Sequence, residues 1–196
     1  MSIQTLELLE RDGTTLRSRC RIEGNPFYDI AAEVGCCKLF HPAYMHAYWI
    51  MLGSLRSQPL YILELGVEVG RSLRFWECCF PQASIWAVDC DPSCTAYASK
   101  RSTIYIGRQE DDKFLRHVVQ QMGGLDVVVD DCSHVWEHQE ASLHCLWPYL
   151  APGGWYIVED FDVPFNHSFL QDWSIKLPRV AEMHFYPDLC MLRKEI

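Results

Sequence analysis

The sequence predicts an α/β fold: a doubly wound, mostly parallel sheet with an antiparallel edge. Three observations carry that prediction. Short apolar runs alternate with helix-length segments through the middle of the chain, the pattern of βα units around a parallel sheet. Two of these runs, Leu125–Val129 and Trp155–Val158, each lead into a pair of carboxylates, Asp130-Asp131 and Glu159-Asp160. The final segments, Val180–Tyr186 and Leu189–Lys194, flank a Pro187-Asp188 turn and read as a hairpin.

The elements follow in order. Residues 2–10 are expected to be a short amphipathic helix ended by Asp12-Gly13, and residues 11–37 are poorly periodic, with turn signals at Gly24-Asn25-Pro26. Pro42–Leu55 spaces Tyr44, Tyr48, Met51, Leu52 and Leu55 as a helix does, so its aromatics are assigned to packing. Strands are expected at Leu60–Leu65, Ser84–Val88, Thr103–Ile106, Leu125–Val129 and Trp155–Val158. Helices are expected from about Gly70 to Phe80, from Asp111 to Met122, and within His134–Leu150, with a short helix or loop from Pro92 to Lys100. Asp111 and Asp112 suit a helix start and Gly123-Gly124 a helix stop. Asn166–Trp173 is expected to be a last helix. This divides the chain into an N-terminal helical lid or appendage, residues 1–57, and a Rossmann-like domain, residues 58–196. Whether residues 1–40 form a lid, a dimer arm or both stays open, and with it a homo-oligomeric state.

At 196 residues, 49% hydrophobic, the chain has material for one sizeable core. A net charge of −9 argues against nucleic acid or an anionic membrane as the main partner. No apolar run approaches the ~18 residues of a membrane span, and the first ten residues lack a secretory core. Ten cysteines occur without a CxxC or a zinc-finger spacing. A cytoplasmic protein with reduced thiols is therefore expected.

Three stretches carry chemistry. Gly66 and Gly70, in the strand-to-helix turn ELGVEVGRSL, allow a tight turn and a close backbone approach to a ligand. Asp89 ends the second strand and can accept hydrogen bonds from both ribose hydroxyls of an adenosine cofactor. Together they leave a nicotinamide dinucleotide or S-adenosylmethionine, and the glutamate before Gly66 with the terminal hairpin favours the latter. Third are the acidic strand ends. Two strands joined by a helix are parallel neighbours, which brings both acidic pairs to one sheet edge. Carboxylates crowded there call for a cation. Asp131, Glu159 and Asp160 are hard oxygen ligands that suit Mg²⁺ better than zinc. A bound dication would hold vicinal hydroxyls and lower the pKa of one. His134, three residues beyond Asp131, is placed to be the general base for it.

The runs ILELGVEVGRSLRFW, FPQASIWAVDCDP, IYIGRQEDDKFL, LDVVVDDCSH and LWPYLAPGGWYIVEDFD resemble class I S-adenosylmethionine-dependent methyltransferases. Among these the chain is most similar to the metal-dependent sugar O-methyltransferases of the macrocin and mycinamicin type. The resemblance covers roughly residues 34–194. It implies the class I methyltransferase fold, S-adenosylmethionine and Mg²⁺ as cofactors, and a small-molecule hydroxyl as acceptor, such as a sugar of a glycosylated natural product. It implies Asp131, Glu159 and Asp160 as metal ligands and His134 as catalytic base. Glu64, Gly66, Asp89, Gln109 and Asp130 would line the cofactor site. The family's pattern DDGSH has Cys132 at its glycine here, the acidic residue of GDQ is Arg108, and the Thr-Asp-Lys segment appears as Cys36-Cys37-Lys38. A same-fold protein that binds the cofactor without transferring methyl, hydroxylase-related or a rearrangement catalyst, is the alternative.

Overall fold

A computed structural model describes residues 3–9, 16–22, 24–160, 177–186 and 188–196. The helix expected at Asn166–Trp173 lies outside them. The sheet-forming body begins with β3 (Tyr61–Leu65), followed by α3 (Arg71–Cys79), β4 (Ser84–Asp89), β5 (Ser102–Ile106), α4 (Asp112–Met122), β6 (Val127–Asp130), α5 (Trp136–Leu146) and β7 (Trp155–Glu159). The chain closes with β8 (Val180–Tyr186) and β9 (Leu189–Lys194). Seven strands lie in the order β5-β4-β3-β6-β7-β9-β8. The pairs from β5 to β7 are parallel, and β9 pairs antiparallel with both β7 and β8. The doubly wound sheet with an antiparallel hairpin edge is therefore present as expected. The chain winds outward one way from β3 and the other way from β6, which makes the β3/β6 junction the switch point where such sheets bind ligands.

Two cores cover the two faces. Ile62, Ile85, Val127, Val129 and Ile157 face one way, together with buried Phe27, Tyr48, Phe75 and Trp76. Leu63, Leu65, Val88, Val128, Tyr156 and Val158 face the other, against Leu115, Val118, Leu143 and Leu146. This is the period-2 alternation of strands buried on both sides. It also decides where the acidic residues point. Glu64 and Glu159 share the parity of the first face, Asp130 that of the second, and Asp131 and Asp160 lie just past the strand ends.

The N-terminal segment departs from the sequence expectation. Residues 2–10 are not a helix: β1 (Ile3–Leu9) pairs antiparallel with β2 (Leu16–Ile22), Leu9 opposite Leu16. The signal lay in the second strand, LRSRCRI, where arginines at 17, 19 and 21 alternate strictly with smaller or apolar residues. Alternation is the mark of a strand, and Asp-Gly between two such runs is a hairpin signal. Next come α1 (Pro26–Val34), a 3₁₀ turn at Cys37–Phe40 and α2 (Pro42–Leu52). Helix α1 also lay in a stretch read as aperiodic. It is started by Asn25, whose Oδ1 accepts from the Phe27 amide at 2.9 Å and whose Nδ2 donates to the Met45 carbonyl at 2.9 Å. Phe27, Ala31, Tyr44, Met45 and Leu52 are completely or almost completely buried, in the same core as β3 and β6. Helices α1 and α2 are thus built into the sheet's first face. Among the described residues no helix is long and apolar enough to cross a membrane, and the cysteines from Cys36 onward are free.

Candidate active site at the strand switch

The C-terminal ends of β3, β4 and β6 open onto a cleft of about 710 Å³, lined among others by Gly66, Asp89, Asp131, Cys132, His134 and Asp160. Gly66 has φ +96°, and a β-carbon there would stand 2.0 Å from the Asp131 carbonyl oxygen. The turn after β3 therefore lies against the chain leaving β6 with no room for a side chain. Asp89 holds that turn in place: its Oδ2 accepts from the Val67 amide at 2.8 Å and the Glu68 amide at 3.2 Å, and its Oδ1 from the Asp91 amide at 2.9 Å. Burial works against its charge, but the three backbone donors outweigh it and hold the carboxyl below its usual range.

Three of the residues expected to line the cofactor site, Glu64, Gln109 and Asp130, are buried. Asp130 is fully buried; its Oδ1 accepts from Gln109 Nε2 at 2.9 Å and its Oδ2 from the Tyr156 hydroxyl at 3.1 Å and the Ser142 hydroxyl at 2.5 Å. Gln109 passes the restraint on, its Oε1 accepting from the Ser133 amide at 2.9 Å. This chain of bonds pins the Asp131–His134 loop from below. Burial pushes the Asp130 carboxyl up to about 7 despite those donors. Glu64, also fully buried, accepts from Trp76 Nε1 and the Ser72 hydroxyl, each at 2.8 Å.

Burial likewise pushes Glu64 up to about 7, against the pull of Lys38, Trp76 and Ser72. A carboxyl that holds its proton longer in the folded state stabilises fully below its unfolded pKa and loses that contribution as pH rises through the folded value. Between pH 4.5 and about 7 the stability of the metal-free protein is therefore expected to fall as pH rises. Glu64 accounts for about 3 kcal/mol of that fall at most, and Asp130 acts with the same sign. Glu64→Gln keeps an acceptor for Trp76 and removes the proton. Denaturant melts across this range should show a shallower slope; an unchanged slope would exclude Glu64 as a source of it.

The third carboxylate group is divided. Glu159 is buried and points back into the first face. Lys38 Nζ reaches its Oε1 at 2.7 Å and Oε2 at 2.6 Å, and the Tyr48 hydroxyl also donates to Oε1. Lys38 Nζ lies 2.6 Å from Asp131 Oδ2 and 3.7 Å from Glu64 Oε1. Desolvation opposes its charge, but Glu159, Asp131 and Glu64 outweigh it and hold the ammonium well above its ordinary pKa. Among the described residues, the group with donor atoms close enough to share one metal ion is Asp131, His134 and Asp160, with one donor atom from each all within 4.8 Å of one another. Glu159, expected from sequence as a ligand beside them, stands behind with both oxygens engaged. His134 Nε2 is 4.0 Å from Asp131 Oδ1 and 3.8 Å from Asp160 Oδ2. His134 (φ +54°) and Asp160 (φ +47°) both adopt the left-handed conformation, uncommon outside glycine, although His and Asp enter it more readily than most side chains.

Lys38, Tyr44 and Tyr48 are the residues the sequence reading missed as site residues. A lysine between Cys37 and Leu39 carries no sign of burial, and tyrosines at helical spacing look like core. The available signal was that Tyr44 and Tyr48, four apart, share one helix face. That face meets the acidic strand ends.

A family model described as "Methyltransferase domain" matches residues 63–161, half of the chain. The 8-demethyl-8-(2-methoxy-alpha-L-rhamnosyl)-tetracenomycin-C 3'-O-methyltransferase of Streptomyces olivaceus is 38% identical over 128 residues, covering 62% of this chain and 32% of that protein. The mycinamicin VI 2''-O-methyltransferase of Micromonospora griseorubida is 35% identical over 112 residues, 54% of this chain and 28% of that protein. The chain thus spans about a third of the length of these relatives. Among solved structures, the MycE methyltransferase of the mycinamycin biosynthetic pathway, in complex with Mg and SAH, superposes with a TM-score of 0.77 at 23% identity. That match covers 86% of this chain and 54% of the MycE chain. The matched segment contains Gly66, Asp89, Asp131 and Asp160 on the strand ends around the cleft, and the chain belongs to the methyltransferase-domain family.

Proposed function

We propose that the protein is an S-adenosylmethionine-dependent, Mg²⁺-dependent O-methyltransferase acting on a sugar hydroxyl of a glycosylated small molecule. The observation that carries the reading is the convergence of Asp131, His134 and Asp160 at the edge of the cleft that Gly66 and Asp89 line. The residues present fit both groups. Gly66 lets the β3 turn close against the Asp131 carbonyl at the cleft wall, with no room for a β-carbon, and Asp89 stands at the β4 end where a ribose is bound in such sheets. Carboxylate oxygens are the donors Mg²⁺ prefers. The relatives named for methylation of sugar hydroxyls support the choice of acceptor.

When bound, these groups supply an electrophilic methyl and a Lewis acid for the acceptor hydroxyl. The chain's own residues do the rest. Asp131 and Asp160 would hold the cation, while Glu159, paired with Lys38, stands behind them. His134 Nε2, too far from either carboxylate for a hydrogen bond, is free to take the hydroxyl proton. The turn after β3 and the β6 loop hold donor and acceptor in line.

The test is release of S-adenosylhomocysteine from S-adenosylmethionine with rhamnosylated or other deoxysugar-bearing acceptors. Turnover is expected to vanish with exhaustive chelation and return with Mg²⁺. Full turnover in chelator would remove the metal from the proposal. Saturable cofactor binding with no release on any glycosylated acceptor would favour a role other than methyl transfer.

A further inference from the structure

Asp131, Glu159 and Asp160 present six carboxylate oxygens, and the segment preceding the sheet sorts them. Lys38 takes Asp131 Oδ2 and both Glu159 oxygens. Tyr44 takes the fourth. Its hydroxyl lies 2.8 Å from Asp160 Oδ1 and 2.6 Å from the Asp188 carbonyl, two acceptors for one proton, and accepts the Asp160 amide at 2.9 Å. Asp160 is the residue held at φ +47°, so Tyr44 grips it by backbone and side chain together. The two oxygens left without a donor among the described residues are Asp131 Oδ1 and Asp160 Oδ2. Both face His134.

We propose that Lys38 and Tyr44 are positioning residues of the cation centre. They commit four oxygens to protein contacts and leave Asp131 Oδ1 and Asp160 Oδ2 as the pair that binds the cation. This rests on the metal-dependent reading above. The physical reason is charge as well as geometry. A buried carboxylate needs a partner, and Lys38 serves Glu159 completely. It serves Asp131 only on one side, so Asp131 and Asp160 remain in excess of protein cations at the mouth of the site. Both positioning residues precede the segment matched by the methyltransferase-domain family. The part of the chain expected to be a lid therefore completes the centre.

Mn²⁺ titration followed by electron paramagnetic resonance, on the full chain without cofactor or acceptor, tests this, with thermal melts alongside. Wild type is expected to bind saturably and Asp131→Asn to lose binding. Tyr44→Phe, which removes one oxygen atom, should weaken the Mn²⁺ dissociation constant about tenfold while the melt stays cooperative. Lys38→Met should act in the opposite direction. It releases the Glu159 oxygens and removes a positive charge, so Mn²⁺ should bind more tightly and raise the melting temperature more than in wild type. A merely structural lysine would lower stability and leave the Mn²⁺ constant alone. If Lys38→Met does not fold, Tyr44→Phe decides. Saturable wild-type binding with Tyr44→Phe unchanged within twofold would overturn the positioning role and leave the metal centre standing. Absence of saturable binding in wild type would overturn the metal centre itself, and this inference with it.

Discussion

Gly66→Ala is expected to lower the melting temperature by roughly 10 °C or more. Two independent terms act there. The first is conformational: φ is +96°, a region where a β-carbon costs about 1–2 kcal/mol. The second is steric: the added carbon would stand 2.0 Å from the Asp131 carbonyl oxygen and 2.8 Å from its carbon. Both contacts are backbone atoms, which cannot swing aside as a side-chain tip can. Relief requires moving the β3 turn, held by Asp89, or the β6 loop, held by Gln109. Overpacking of this kind costs about 1–3 kcal/mol, so the sum is a large fraction of an ordinary domain's stability. Gly35→Ala is the control. Gly35 has φ +69° but nothing within 4 Å of an added β-carbon, so it carries the conformational term alone. Matched melts should show Gly66→Ala losing at least twice as much as Gly35→Ala. Equal losses would mean that the approach of the two loops is not tight.

The second large effect is on chemistry. His134→Asn is expected to lower kcat about 10²- to 10⁴-fold, with S-adenosylhomocysteine affinity kept within about threefold. Asparagine is the informative choice because it tolerates the left-handed backbone that His134 adopts. The loop should keep its shape while the imidazole is lost. The measurement is single-turnover methyl transfer beside calorimetric binding of S-adenosylhomocysteine. Activity retained within tenfold would place the base elsewhere. Loss of binding and turnover together would instead mark His134 as part of the loop's structure.

The β3–β9 part of the fold was legible because its local signals agree with one another. Apolar runs of strand length, glycine and proline punctuation and the capping Asp111 all point to the same elements, and Asp111 does cap α4. The N-terminal hairpin was misread because a few leucines at near-helical spacing in residues 3–9 outweighed the alternation in residues 16–22. A hairpin is decided by its pair, not by either strand alone. Cleft residues at strand ends were legible for a geometric reason. A residue just past a parallel strand must emerge at the C-terminal edge, so Gly66, Asp89, Asp131 and Asp160 could be placed without coordinates.

Glu64, Asp130 and Glu159 could not. Each is the last or next-to-last residue of its strand, and its side chain follows the pleat into one helix layer or the other. Which partners wait there depends on helices distant in sequence: Trp76 and Lys38 for Glu64, Ser142 for Asp130, Lys38 and Tyr48 for Glu159. The sequence by itself determined the sheet, its acidic C-terminal edge and the chemistry that edge can hold. Only the tertiary structure decided which carboxylate oxygens stay open. That choice is made by an ammonium 93 and 121 residues away from the acids it holds, and burial over such a separation leaves no local mark in the chain.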